Sequence, residues 1–313
     1  MISFVVRRLL IAVPTLLIVA TLTFFLTSLV PGDPANYILG QSATPESVAA
    51  LHAQLGLDQP VLVQYWNWLS SALHGDLGTS VLQQEPVTTL ISQAIGATLS
   101  LAVLSTLAAV AIGMALGTWA AVKGGRTDTL LQTAAGVGVA IPSYWMAAVL
   151  VLVFAIGAGW FPSGGYTPIT ESAGGWALAL VLPAAAIAIN AVCQVLLQAR
   201  AGVLDVLSRD YVRTLQSTGL PRWRVLGKHV VRNAAVPVIQ VAAATFFYAV
   251  SGVVVIEKIF NLNGLGSLLL SSATQRDLST VLGATLVFSV MVLVANIVID
   301  VLAALVNPRI RVS

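Results

Sequence analysis

The chain has 313 residues, of which 58% are hydrophobic and only 9% charged, with a mean hydropathy of +0.92; soluble proteins carry about 25% charged residues, so an ordinary soluble domain is excluded. Fifteen Lys and Arg against twelve Asp and Glu give a net charge of +3, and whether that charge means nucleic acid or topology depends on where the basic residues fall. The single cysteine, Cys193, stands in an apolar run; it cannot form an internal disulfide, and a buried small hydrophobe is its expected role rather than redox or zinc chemistry.

A hydrocarbon core about 30 Å thick needs about 20 apolar residues at 1.5 Å each, and six stretches meet that requirement. The first, Leu9 to Val30, follows Arg7-Arg8 and stops at Pro31-Gly32-Asp33-Pro34. It is longer than the h-region of a signal peptide and no Ala-x-Ala site follows, so it reads as a retained span. The next 64 residues, 31–94, are too long for a simple connection and carry helical patterns of their own. Thr44 suits an N-cap with Pro45 at the first helical position, and Gly56 suits the stop. After Pro60, the spacing of Leu62, Tyr65, Trp66, Leu69 and Leu73 predicts an amphipathic helix. Its stripe either packs on its own protein, lies on the membrane, or meets a partner.

The remaining spans fall at 95–122, 129–157, 176–198, 234–256 and 281–306. Gly113-x-x-x-Gly117 in the second permits close helix approach. Polar residues inside the spans are candidates for a pathway or for bonds between helices: Ser143 and Tyr144 in the third, Asn190 and Gln194 four apart on the fourth, and Gln240, Tyr248 and Ser251 in the fifth. Asp300, towards the end of the sixth, is the one carboxylate within a span, with a structural or a gating role open to it. The candidates are nearly all neutral, which implies a route that does not select cargo by a fixed buried charge.

Between spans four and five, residues 199–233 are basic yet patterned. Leu204, Leu207, Tyr211 and Leu215 predict one apolar helix face, and Gly219-Leu220-Pro221 a stop before a second basic segment. Either the chain's own helices or another protein covers that face.

Thirteen of the fifteen basic residues lie on one side of this layout; the other side has Lys258 and Arg276 alone but eight carboxylates. The positive-inside rule then places both termini in the cytoplasm. Nucleic-acid binding loses its support. No phosphate-binding Gly-rich loop, Gly-x-Ser-x-Gly elbow or His-Glu-x-x-His motif occurs, and the three histidines have no partners at metal spacing. The expectation is a chain with no catalytic residues, no metal and no cofactor of its own.

Several blocks in order resemble the first permease of the dipeptide, oligopeptide and nickel uptake systems, membrane subunits of ATP-binding-cassette importers. They are Arg7-Arg8-Leu9-Leu10 with Pro14-Thr15 and Pro31-Gly32-Asp33-Pro34-Ala35; Leu55-Gly56-Leu57-Asp58-Gln59-Pro60; Gly75-Asp76-Leu77-Gly78-x-Ser80; Asp210 to Leu220 with Arg232-Asn233-Ala234-Ala235-Val236-Pro237; Glu257-x-Ile259-Phe260 with Gly264-Leu265-Gly266; Arg276-Asp277; and Asn307-Pro308-Arg309. Departures include Asn263 and Ser279 where the family commonly has Pro, and Leu215 and Thr218 where it commonly has Ala and Lys.

The resemblance implies an all-α polytopic membrane protein with six transmembrane helices, a helical external cap and a cytoplasmic coupling helix. It divides the chain into 1–30, the amino-terminal end and first span; 31–94, the cap; and 95–313, the five-span core with coupling loop 199–233. The loop residues Asp210, Tyr211, Arg213, Thr214, Leu215, Gln216, Ser217, Gly219 and Leu220 would then dock on an ATP-hydrolysing subunit. Glu257, Lys258, Arg276 and Asp277 would contact an external binding protein, or pair among themselves. Implied partners are a second related permease chain, two ATP-binding subunits that hold ATP and Mg, and the binding protein that delivers a peptide or similar small solute. The implied location is a prokaryotic inner membrane. The alternative is an ion-driven secondary transporter, which needs ionisable residues or broken helices near mid-membrane.

Overall fold

The computed structural model describes residues 2–29, 34–40 and 43–306. Pro31-Gly32-Asp33 and the carboxyl-terminal Asn307-Pro308-Arg309 lie outside the described residues. Among the described residues the regular structure is all helical, apart from a lone β-bridge between Thr79 and Pro86. Five helices among the described residues are long and apolar enough to cross a membrane, and a sixth crossing is made if one bent pair counts as a span. The chain divides into two compact units, Met1–Gly96 with Asn263–Val294, and Ala97–Leu262 with Ala295–Ser313.

In the first unit α1 (Ile2–Ser28) is followed by the short α2 (Pro34–Leu39), α3 (Pro45–Leu55) and α4 (Val61–Leu73). The ends of α3 are as the sequence predicts. Thr44 accepts from the Ser47 amide while Ser47 reciprocates at the Thr44 amide, satisfying donors that a helix start leaves free. Gly56 closes the helix at φ 66°, a left-handed conformation with little cost for glycine alone. On α4, Tyr65 and Leu69 are buried against Phe24 of α1 and Leu282, and the Tyr65 hydroxyl meets Thr21 Oγ1 at 2.7 Å. A second cluster joins Leu77, Val87, Ile91, Ala94 and Leu265. It brings together the start of α5 (Val87–Lys123), α12 (Leu265–Thr274) and α13 (Leu278–Val306). The α5 helix begins at Val87, ahead of the predicted start at 95.

The second unit is organised by α8 (Ala173–Leu207), 35 residues long and therefore about 52 Å. Half of its most apolar window is buried, more than in any other candidate span. It packs against α5 where Gly113 and Gly117 face it; a Cβ on Gly117 would stand 2.5 Å from the Leu196 carbonyl oxygen and 2.8 Å from Ala199 Cβ. The Gly-x-x-x-Gly spacing thus marks a real close approach.

The span predicted at 129–157 is not one straight helix. It is α6 (Gly125–Ala140) and α7 (Ser143–Leu150), bent by 98° and continued by a wide π-helical turn over Val151–Gly157. Pro142 is the cause: it removes an amide donor and holds Ile141 extended at ψ 122°. The stripe predicted from Leu204 to Leu215 is likewise broken. The α8 helix ends at Leu207, Arg209 is extended, and a separate α9 (Asp210–Ser217) begins. Ser208 bonds back to the Asp205 carbonyl and Arg209 pairs with Asp205 at 2.7 Å, local bonds that compete with helix continuation. Beyond α9 come one turn, α10 (Arg222–Arg224), a π-helical stretch over Val225–Val231, and α11 (Arg232–Ile259).

Candidate functional site

A cavity of about 910 Å³ opens in the second unit where α6 breaks into α7, against α8 and α11. Its lining includes Ser143, Asn190, Gln194, Gln198, Thr245, Tyr248 and Ser251, with aliphatic residues between and no Asp, Glu, Lys, Arg or His. Of the polar residues singled out in the sequence, Ser143, Asn190, Gln194, Tyr248 and Ser251 converge here. Tyr144 and Gln240 do not; both are exposed outside this lining.

The break itself is held by two of these side chains. The last carbonyls of a helix have no partner within it, and at the end of α6 Asn190 Nδ2 donates to the Val139 carbonyl at 2.8 Å and to that of Gly138 at 3.4 Å. Gln194 Nε2 donates to Asn190 Oδ1 at 2.7 Å and so fixes which way the amide points. At the other end of α6, Arg200 on α8 clamps Asp128 through two bonds of 2.5 and 2.6 Å. Such bidentate pairs are strong and directional. The α6 helix is therefore fastened to α8 at both ends, and Cys193 packs between them against Gly138.

Sequence reading missed Thr245 and Gln198. Thr245 is buried at 4% exposure and its hydroxyl has no hydrogen-bond partner, whereas Thr15, Thr21, Ser105 and Ser289 bond back to a carbonyl of their own helix. The signal was present as spacing: Val241, Thr245, Tyr248 and Gly252 recur at 4, 3 and 4, one face of α11, and Gln198 lies one turn beyond Gln194.

The α9 helix is anchored from behind. Val212 is fully buried in a cluster of Val203, Val206, Val225, Val230 and Ala234, and Leu207, Leu215 and Leu220 pack on its margin. The chain covers most of its own apolar face, while Tyr211 is turned outward and takes a bond from Asn233 Nδ2 at 3.0 Å. What α9 presents is polar. Asp210, Arg213, Thr214 and Ser217 share one exposed face at helical spacing, Gln216 is exposed beside them, and Gly219 turns the chain away at φ 78°. Trp223, also missed, is 71% exposed with Arg224 against its ring.

The four residues read as outer contacts separate into two kinds. Glu257 and Asp277 are buried and do not reach the surface of the chain: Thr98 donates to Glu257 at 2.6 Å, and Ser80 and Thr280 donate to Asp277 at 2.5 and 2.7 Å. A buried carboxylate needs such donors, so a surface role falls to Lys258 and Arg276, which retain exposure. Asp300 is partly buried on α13.

Residues 109–312 match the family of binding-protein-dependent transport system inner membrane components, and residues 1–102 match the amino-terminal region of such membrane components. The chain belongs to this family. The permease is 39% identical over 312 residues to a Brucella abortus (strain 2308) protein named as a peptide transport system permease, covering 99% of both chains. It is 39% identical over 313 residues to the glutathione transport system permease protein of Salmonella typhimurium (strain LT2), again over 99% of both. It is thus an integral, multi-pass permease component of an ATP-binding-cassette importer, and not itself the catalytic part.

Proposed function

We propose that the permease forms one half of a translocation pathway for peptides or a similar small solute, paired with a second related permease chain. Two ATP-binding subunits, with ATP and Mg bound in them, drive it from the cytoplasm, and an external binding protein delivers the cargo. Both termini are cytoplasmic, by the positive-inside distribution; residues 31–94 are the outer cap and 199–233 the coupling loop.

The observation that carries this reading is the form of α9: a polar outer face of Asp210, Arg213, Thr214 and Ser217 on a backing of buried valines. A handle that is exposed on one side and packed on the other transmits a push instead of deforming. Closure of the ATP-binding subunits would move α9, then α8, then the α6 helix strapped to it, opening or closing the cavity. The relatives named for peptide and glutathione transport support a cargo with peptide bonds. The broken α6–α7 span suits an ion-driven carrier in outline, but its cavity has no carboxylate to couple an ion.

The test is the assembly of the purified complex. Arg213→Glu reverses the charge at the centre of the exposed face and leaves Val212 in place, so the chain is expected to remain membrane-inserted and helical while losing the ATP-binding subunits. Retention of those subunits at wild-type stoichiometry would refute the docking role.

A further inference from the structure

The α4 helix has an apolar surface that the chain leaves uncovered. At 100° per residue, Leu62, Trp66 and Leu73 fall within about 40° of one another, and all three are exposed, at 63%, 64% and 75%. They adjoin the face that carries Tyr65, Leu69 and Ala72, of which Tyr65 and Leu69 are buried against α1. One continuous apolar arc is thus half covered by protein and half open. The remaining surface holds Ser70, Asn67, Ser71 and Gln64 with Val63 among them, and no residue from Val61 to Leu73 is charged.

The position of α4 on α1 decides what lies against the open half. Tyr65 reaches Thr21, and its ring lies 5.4 and 5.7 Å from those of Phe24 and Phe25. Thr21 is seven residues before the end of the span Leu10–Ser28, about 10 Å inside it. The anchoring side chains of α4 therefore lie alongside the apolar span residues of α1, about two turns from its end. The α1 surface they meet continues outward through Leu22 and Leu26, themselves 56% and 62% exposed. Tryptophan is enriched where apolar and wet zones meet, and Trp66 stands between the apolar arc and the polar face.

We infer that α4 is an interfacial helix whose Leu62, Trp66 and Leu73 stripe is seated in the lipid of the outer leaflet, continuous with the lipid-facing surface of α1. The polar face is turned to water, and the cap is held at the membrane plane by this helix.

The test uses the complete transporter in phosphatidylethanolamine–phosphatidylglycerol bilayers. Nitroxide labels are placed at Leu62→Cys, Trp66→Cys and Ser71→Cys in a Cys193→Ser chain, and the unlabelled-site chain supplies the background from cysteines elsewhere in the assembly. All three positions are on the exposed surface, so the labels leave the buried contacts intact. Power saturation then compares access to oxygen, which concentrates in lipid, with access to a water-soluble nickel chelate. The expected result is at least a several-fold higher oxygen-to-nickel ratio at 62 and 66 than at 71. Nickel access at 62 and 66 equal to that at 71 would place α4 in an aqueous cap and overturn the inference. Loss of access to both reagents would overturn it too, by showing that another protein chain covers the stripe.

Discussion

Replacing Asn190 by Leu should loosen the α6–α7 break without emptying the space around it. The substitution removes the bond to the Val139 carbonyl at 2.8 Å, the marginal one to Gly138 at 3.4 Å, and the acceptor for Gln194 at 2.7 Å. Hydrogen bonds between helices in membranes average about 0.6 kcal/mol and reach about 1.7, so the two short ones together contribute about 1–3 kcal/mol. The carbonyls border an open cavity where water can replace a donor, which puts the expected loss in the lower part of that range, about 1–2 kcal/mol. Reversible unfolding of the permease in mixed micelles, followed by helical circular dichroism as sodium dodecyl sulfate is raised, measures it. Gln194→Leu and the double variant complete a cycle. Because Gln194 acts by orienting Asn190, the two effects should fall short of additive by about 0.5 kcal/mol or more. A change below about 0.3 kcal/mol for Asn190→Leu, or strict additivity, would refute the idea that this amide caps the break.

Other substitutions probe other contacts. Gly117→Val should cost about 1–3 kcal/mol in the same unfolding assay, because its side chain would meet the Leu196 carbonyl and Ala199; Gly136→Ala, which meets nothing within 4 Å, should be neutral or slightly stabilising. Ser80→Ala takes one of two hydroxyl donors from buried Asp277 and should destabilise by about 1–3 kcal/mol. Asp128→Arg should lower stability, and adding Arg200→Asp should recover part of it, whereas Arg200→Lys in the wild-type background should fall between, since an ammonium cannot make both bonds. Thr245→Val should leave stability unchanged or raised, as it deletes a hydroxyl without a partner, yet reduce the rate of uptake in reconstituted vesicles. Uptake at the wild-type rate would remove Thr245 from the pathway.

The apolar runs alone located the spans, because a bilayer demands length and uniform apolarity and little else can imitate that pattern. The α3 helix was legible for a different reason: Thr44, Pro45 and Gly56 act on the backbone locally. Where the outcome depended on a partner element, one-dimensional spacing was insufficient. Pro142 signals a helix end in the sequence, yet the uncharged run around it read as one span because the side chain that donates to the carbonyls at the bend, Asn190, lies 48 residues away. Leu204, Leu207, Tyr211 and Leu215 fit a single helix in spacing, but Asp205, Ser208 and Arg209 made local bonds that divided it. Glu257 and Asp277 looked like surface charges beside a span; their burial follows from hydroxyls at Thr98 and Ser80, which no local pattern connects to them. The cavity was partly visible as neutral polar residues on three spans, and Thr245 was overlooked since a lone Thr in an apolar helix usually bonds to its own backbone.

The length of α8 has a mechanical consequence. From Pro183, the residue inside it that lacks an amide donor, to Leu207 at the foot of α9 is 24 residues, a rigid arm of about 36 Å. A rotation of only about 10° at that proline would sweep the foot through about 6 Å, more than a full helical turn. Read in the opposite direction, a stroke of that size delivered at α9 arrives at the level of Asn190, about 10 Å from the pivot, as a shift of less than 2 Å but with several times the force. The proportions of this helix trade distance for leverage, so a modest pull on the far end would shift α8 together with the α6 helix strapped to it.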